Sequence, residues 1–406
     1  MASSLTKSTD LVRKLIVFFI IFAIFVFIFD FILALISPEE RDTPLPRRDN
    51  KGYVEANNAL GTIPRFPVRS LTLAPDTRAS YALTSALPEF PPTVNVYRID
   101  RPTETFLSVP NALKTAAALG FDPDQYQNTS DDVLFWSTPN STRTLTYNKV
   151  LEDWLLEVNL ATDPAAQLDD KELVTIQDFY KQAAVGIIGS LGPESGMFST
   201  DTVRVDYIDI DASGNYTRFV QPTDARYARV ALFKALESSS LVENYQPREG
   251  EVASRPVTSE VRKTAYMSAP AELVLQGSAD EPDEDILSYK YREFLPADKG
   301  VYTLINPETA WNNVQANLGY LYWLRPEDRD VFDPYEQVVV TRFDAQPEKT
   351  RIIYLEPDNW DPNLPYTQFL QPFYIFEGIA RLQDGREAEF AFIVEALNNS
   401  SYNNGD

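Results

Sequence analysis

The 406-residue chain contains neither cysteine nor histidine. Without cysteine no disulfide staples it, so an oxidising compartment is tolerated but not exploited. Without histidine it lacks the commonest general base and the commonest transition-metal ligand. Ser-His-Asp and Cys-His catalysis, histidine zinc sites and histidine-ligated haem are excluded; mechanisms built on two carboxylates, or on serine with lysine, survive. Positive charge is also scarce: 36 Lys and Arg stand against 59 Asp and Glu, a net charge of −23. So acidic a surface repels nucleic acid and anionic headgroups, and no nucleic-acid partner is expected.

One long apolar run is present. Leu15 to Ile36 carries a single charge, Asp30, and as a helix it would span about 33 Å, enough to cross a bilayer core. It is longer than a signal-peptide core, and Ser37-Pro38-Glu39-Glu40 follows with no small-x-small cleavage site, so an uncleaved signal anchor is expected. Lys and Arg are near parity on its two flanks, which leaves the positive-inside rule undecided. Long domains translocate largely regardless of charge, and Arg13-Lys14 abuts the run. The expected topology has the N-terminus in the cytoplasm and the large domain extracytoplasmic.

Pro44, Pro46, Pro64, Pro67, Pro75, Pro88, Pro91 and Pro92 punctuate residues 37–92. That composition fits an extended tether, or an irregular wrap docked through Tyr53, Phe66, Tyr81 and Phe90. From Val94 the pattern turns globular. Val94 to Ile99 alternates as a strand, with Thr105 to Val109 as a hairpin partner, and Pro110 to Leu119 reads as a helix closed by Gly120-Phe121. Strands are expected over 133–137, 143–147, 149–159, 203–210 and 215–220, and an amphipathic helix over 171–191. Near the end, Val301 to Ile305 is followed by Asn306-Pro307-Glu308, an N-cap with Pro at N1. Both helices are read as ending in Leu-Gly-aromatic, which suggests a duplicated module; two ordinary capped helices looking alike is the alternative. Hairpins are expected for 337–343 with 350–355, and for 369–382 with 386–397 across Asp384-Gly385.

The expected fold class is α+β, an N-terminal transmembrane helix followed by an ectodomain of antiparallel sheets with packed helices. Its order is a cytoplasmic tail over 1–14, the membrane helix over 15–36, a tether over 37–92, ectodomain modules over 93–250 and 251–397, and a disordered tail over 398–406.

The capped helix ending Leu318-Gly319-Tyr320, followed by hairpins containing Phe369-Leu370-Gln371-Pro372-Phe373-Tyr374-Ile375-Phe376-Glu377-Gly378 and a polar turn, resembles the extracytoplasmic modules of YycH/YycI-like proteins. The resemblance covers the architecture and about ninety C-terminal residues. It implies duplicated α+β modules of PepSY-like fold, and an ectodomain that regulates a cell-wall sensor kinase without enzymatic activity. That family offers no catalytic motif to carry over.

Three local features invite sharper readings. Asp209 to Gly214 opens like a calcium loop, but Val220 stands where a bidentate glutamate is needed, so a hairpin turn is the better reading. Asp280 to Asp285 packs five carboxylates into six residues, read first as a solvated, mobile loop and second as a divalent-cation or basic-partner site. Glu356, Asp358, Asn359, Asp361 and Asn363 surround Trp360, which would suit a carbohydrate or cation site with the indole as stacking face, but Asx turns beside proline are the commoner cause. Trp311, Tyr320, Tyr322 and Trp323 gather near one helix terminus, with core the first reading and an exposed patch the second.

No catalytic, cofactor-binding or metal-ligating residue is assigned and no cofactor is expected. The functional expectation is a membrane-anchored, non-enzymatic regulatory or scaffolding protein that contacts a membrane or envelope protein partner. The alternatives are an envelope carbohydrate-active enzyme using paired carboxylates, and a small-ligand or cation sensor domain. Two carboxyl groups facing each other across a pocket would favour the enzyme.

Overall fold

Alternating apolar residues rich in Val, Ile, Tyr and Phe make strands the prevailing regular structure of the described residues. The computed structural model describes residues 52–75, 77–163, 166, 173, 176–191, 198–211, 214–219, 221–242, 255–277, 285–292 and 294–403. They belong to one unit running from Asn50 onward.

In chain order the elements are β1 (Ser80–Leu83), β2 (Thr93–Ile99), α1 (Ser108–Ala118), β3 (Gln127–Ser130), β4 (Val133–Ser137), β5 (Arg143–Asn148), β6 (Asp153–Val158), α2 (Gln177–Leu191), β7 (Phe198–Ile210), β8 (Tyr216–Phe219) and β9 (Tyr227–Ser239). The second half continues with β10 (Val257–Arg262), β11 (Ala271–Leu275), β12 (Ile286–Tyr291), β13 (Pro296–Thr303), α3 (Pro307–Gln315), β14 (Tyr320–Pro326), β15 (Val340–Ala345), β16 (Arg351–Leu355), β17 (Phe369–Leu382) and β18 (Glu387–Glu395).

Two cores divide the apolar residues. The first lies under α1 and α2, whose Ala112, Ala116, Tyr180, Ala184 and Ile188 pack on the antiparallel run β3-β4-β5-β6-β12-β11-β9-β7. The second gathers Trp311 of α3, Tyr354, Tyr374, Phe376, Phe390 and Phe392 around β17 and β18. Long β9 links the ladders, pairing with β11 through its first half and with β10 through its second. The opposite face of β17 and β18 is also apolar: Phe373, Ile375, Ala391 and Ile393 pack with Phe66, Tyr322 and Ile353. A strand buried on both faces reads as continuous apolar sequence, as β17 does.

The expected fold class does not hold. An α+β arrangement of antiparallel sheets with packed helices gives way to one mixed network of 18 strands, with three α-helices among the described residues. β1–β15 and β10–β16 are parallel; such pairs join segments far apart in sequence, and periodicity is local. Ladders β2–β13 and β6–β12 run between the first and second halves of the chain. The transmembrane helix over Leu15–Ile36 falls outside the described residues, and among those described no helix is long and apolar enough to cross a membrane.

Smaller differences have local causes. Thr105 to Val109 is no hairpin partner of β2: the Thr105 amide donates to Ser108 Oγ at 2.9 Å and the chain turns into α1. β15 and β16 do not form a hairpin either. Both run antiparallel to β17 along one of its edges, separated by the 3₁₀ turn Pro347–Lys349. Residues 52–92 lie on the unit as a strap. Ile63 and Phe66 are buried, Ile63 bridges Tyr402, and β1 joins β15. Residues 398–403, read from sequence as disordered, hold the 3₁₀ turn Asn399–Ser401 and bury Tyr402.

Candidate functional site: an aromatic cleft beside a buried charge cluster

β14 pairs antiparallel with β18, and the register slips between Leu321 and Trp323, leaving Tyr322 as the extra residue of a bulge. A bulge re-aims side chains and recurs beside functional sites. Here Tyr322 is buried, whereas Trp323 and Arg325 are half-exposed. The other edge of β14 is closed by the strap: the Leu321 amide donates to Ser70 Oγ at 3.0 Å and the Leu71 amide to the Leu321 carbonyl at 2.8 Å.

Between this strand, the Thr264–Met267 turn and the loop after β14 opens a cleft of about 330 Å³. That falls within the ~300–1,000 Å³ typical of small-ligand sites. Tyr266 and Trp323 stack in its wall, centroids 4.9 Å apart and planes 15° apart. The buried Arg262 guanidinium lies 5.0 Å from the Tyr266 centroid. Arg262 and Trp323 thus both lie against the Tyr266 ring, and Tyr322 meets it edge-on at 5.5 Å. Tyr266 Oη donates to Glu377 at 2.9 Å, Glu377 pairs with Arg351, and Arg262 Nε donates to Glu260 at 2.8 Å. Burial, then the Glu377 charge, pushes the Tyr266 phenol up, so it remains a donor. Burial opposes ionisation of Glu377, but Arg351 outweighs it and holds the carboxyl low. Tyr266 is thus held in place by its partners Glu377 and Arg262.

Tyr322 Oη donates to the Lys263 carbonyl at 2.6 Å, which joins the cleft to a buried charge cluster. Lys234 Nζ lies 2.8 Å from Glu356 Oε1, and Lys263 Nζ lies 2.5 Å from Glu356 Oε2. The Phe294 amide adds a third donor to Glu356 at 3.1 Å. Burial alone would raise the Glu356 carboxyl, yet the two ammonium groups hold it below its usual range. Burial lowers Lys263, with Glu356 partly restoring it. The sequence reading placed Glu356 in the polar loop around Trp360 and assigned no role to either lysine. The available signal was Lys234 alone within the apolar stretch Ala231-Leu232-Phe233-Lys234-Ala235-Leu236.

The other singled-out residues are dispersed. Asp211 sits in the β7–β8 turn, accepting from the Asn215 amide at 2.9 Å; no cluster of three or more acidic side chains able to hold a metal occurs among the described residues. Residues 280–284 lie outside the described residues, and Asp285 is buried. Asp361 forms an Asx turn with the Asn363 amide at 2.8 Å. Trp311 is core, packed on Phe376 at 5.3 Å. Asp100 and Glu152 both line a second, smaller pocket of about 160 Å³; Asp100 accepts from the Arg101 amide and Glu152 from Ser108 Oγ. No family model matches the chain, and no curated protein or solved structure does.

Proposed function

We propose that the chain is a membrane-anchored recognition protein, held by its apolar run with the described unit extracytoplasmic, and that the unit works by binding rather than by chemistry. The observation that carries this is the cleft: a stacked Tyr266–Trp323 wall, fixed from behind by Arg262 and Glu377, of a volume suited to a small ligand. The regulatory role implied by the resemblance to YycH/YycI-like proteins is the same class of activity. Among the alternatives, this favours the small-ligand sensor over the carbohydrate-active enzyme. The carboxylates Asp100 and Glu152 share the smaller pocket, where each is engaged by a neighbouring donor.

A thermal-shift screen of the full chain in detergent tests the proposal. Compounds that fill the cleft raise the melting temperature of the native protein by mass action and fail to raise that of a Trp323→Ala variant. Glycan hydrolysis abolished by Glu152→Gln would replace recognition with catalysis. Protease added to intact cells tests the topology: residues beyond 40 are cut and the N-terminal tail is spared, whereas protection until lysis overturns the placement.

A further inference from the structure

Resting on the recognition reading, we infer that the cleft takes a short extended segment of a partner protein, added as a strand to the outer edge of β14 at Leu324. The inference starts from where the strap stops. Its hydrogen bonds to β14 are confined to Leu321. Beyond that residue it departs: the Thr72 carbonyl accepts from Tyr335 Oη at 2.9 Å, and the Ala74 amide reaches the Val338 carbonyl at 3.4 Å. Trp323, Leu324, Arg325 and Pro326 continue β14 along the wall of the cleft without it.

Which backbone groups this leaves open follows from the β14–β18 ladder. In an antiparallel pair, successive residues turn their N–H and C=O alternately toward the partner strand and away from it. Leu321 turns both away from β18, to the strap. The bulge inserts one residue, so Trp323 faces β18, Leu324 faces away and Arg325 faces β18 again. Glu327 fixes the phase, its amide donating to the Glu387 carbonyl at 3.0 Å. Pro326 agrees with it, because a proline lacks the N–H that would point outward there. The outward groups are the Leu324 N–H and C=O and the Pro326 C=O, and no described residue beyond the ladder bonds them. Leu324 is only 3% exposed, so its two groups meet the cleft rather than open water. A buried polar group without a partner costs about 1–3 kcal/mol. An extended chain laid along the edge supplies the missing acceptor and donor together, which is how strand addition gains affinity. It also continues the pairing that the strap begins at Leu321. At about 3.4 Å per residue, Trp323 to Pro326 matches three or four residues of such a segment. Arg69, Arg325 and Arg329 share the rim with Asp330, Asp333 and Glu336, so the rim does not select by charge and the main chain carries the recognition.

The test is fluorescence anisotropy of the full chain in detergent with a labelled hexapeptide of alternating threonine and valine, and with the same peptide N-methylated at every residue. The unmodified peptide is expected to bind about tenfold or more tightly, the worth of two main-chain hydrogen bonds. Amide exchange, read by NMR on the same sample, places it: the Leu324 amide is expected to slow about tenfold when the unmodified peptide is added, and not with the methylated one. No binding of the unmodified peptide, or equal binding of the two, overturns strand addition. A Leu324 amide as protected as that of Arg325 in the free chain also overturns it, because another segment of this chain then holds the edge. Each of these outcomes leaves the recognition reading standing if compounds from the thermal-shift screen still fill the cleft. If the screen also finds none, both readings fall.

Discussion

Glu356 is the residue on which most depends, because it is fully buried between two lysines. Glu356→Gln keeps the shape but leaves two ammonium groups without their counter-charge, and breaking a buried pair in this way costs about 3–5 kcal/mol. The penalty is pH-dependent with a definite sign. The folded carboxyl is held below its ordinary value, so its contribution is complete above the unfolded glutamate pKa of about 4.3 and is lost as pH falls through the lower folded value. Urea unfolding of the native protein and of Glu356→Gln should therefore differ at pH 7 and converge in acid; a gap independent of pH would remove the carboxylate from the argument. Of this, only Lys234 standing alone in an apolar stretch was legible in the sequence. A glutamate among Asp, Asn and Pro reads as loop, and burial is decided by β9, β10 and the stretch before β13, which arrive from other parts of the chain.

Helix ends were more legible than strand partners. In α1 the Gly120 φ is +80°, and the Phe121 amide closes on the Ala116 carbonyl at 2.9 Å, the Schellman arrangement the sequence announced. α3 starts as read, with Asn306 accepting from the Glu308 amide at 3.0 Å. It ends at Gln315, and the left-handed closing residue is Asn317 at φ +58°, two residues before Gly319, with the Leu318 amide reaching the Asn313 carbonyl. Gly319 serves packing instead, since a Cβ there would lie 3.1 Å from Val314 and 3.2 Å from Val394. Caps are local and readable; strand pairing is not. Consecutive strands 337–343 and 350–355 read as a hairpin, yet both lie along β17. Gly378 permits this, for an added Cβ would meet the Asp344 carbonyl oxygen at 2.1 Å and Ala345 Cα at 2.8 Å, both backbone atoms. Gly378→Ala is thus expected to destabilise by about 1–3 kcal/mol through forced backbone movement. Chemical denaturation measures it, and a loss under half a kcal/mol would show that β15 is free to shift.

At the scale of the molecule, the strap alters what counts as a foldable piece. A tether would let a chain cut near Pro92 fold by itself. The structure instead buries Ile63 and Phe66, pairs β1 with β15 and closes the β14 edge with Ser70 and Leu71. Removing residues 1–91 exposes those core contacts and an unpaired strand edge, which invites association. The truncated chain should lose several degrees in melting temperature and self-associate in sedimentation; a monomer of unchanged stability would reduce the strap to ornament. The apolar run and the acidic surface were plain in the sequence. The cleft was not, because Arg69, Tyr266 and Trp323 come from three distant segments.

The nesting of the two cores also sets the order in which the protein can be made. The core beneath α1 and α2 draws only on residues 109–291, so its parts emerge from a ribosome together. The other core waits: β2 needs β13 and β17, β1 needs β15, and Ile63 meets Tyr402 close to the end of the chain. At about 5–20 residues per second, the first strands synthesised stay unpaired for on the order of tens of seconds. Nascent chains stalled after residue 292 should already shield Tyr180 from protease, while Thr93–Ile99 stays cleavable until synthesis passes β18. During that interval the early strands depend on chaperones rather than on the fold.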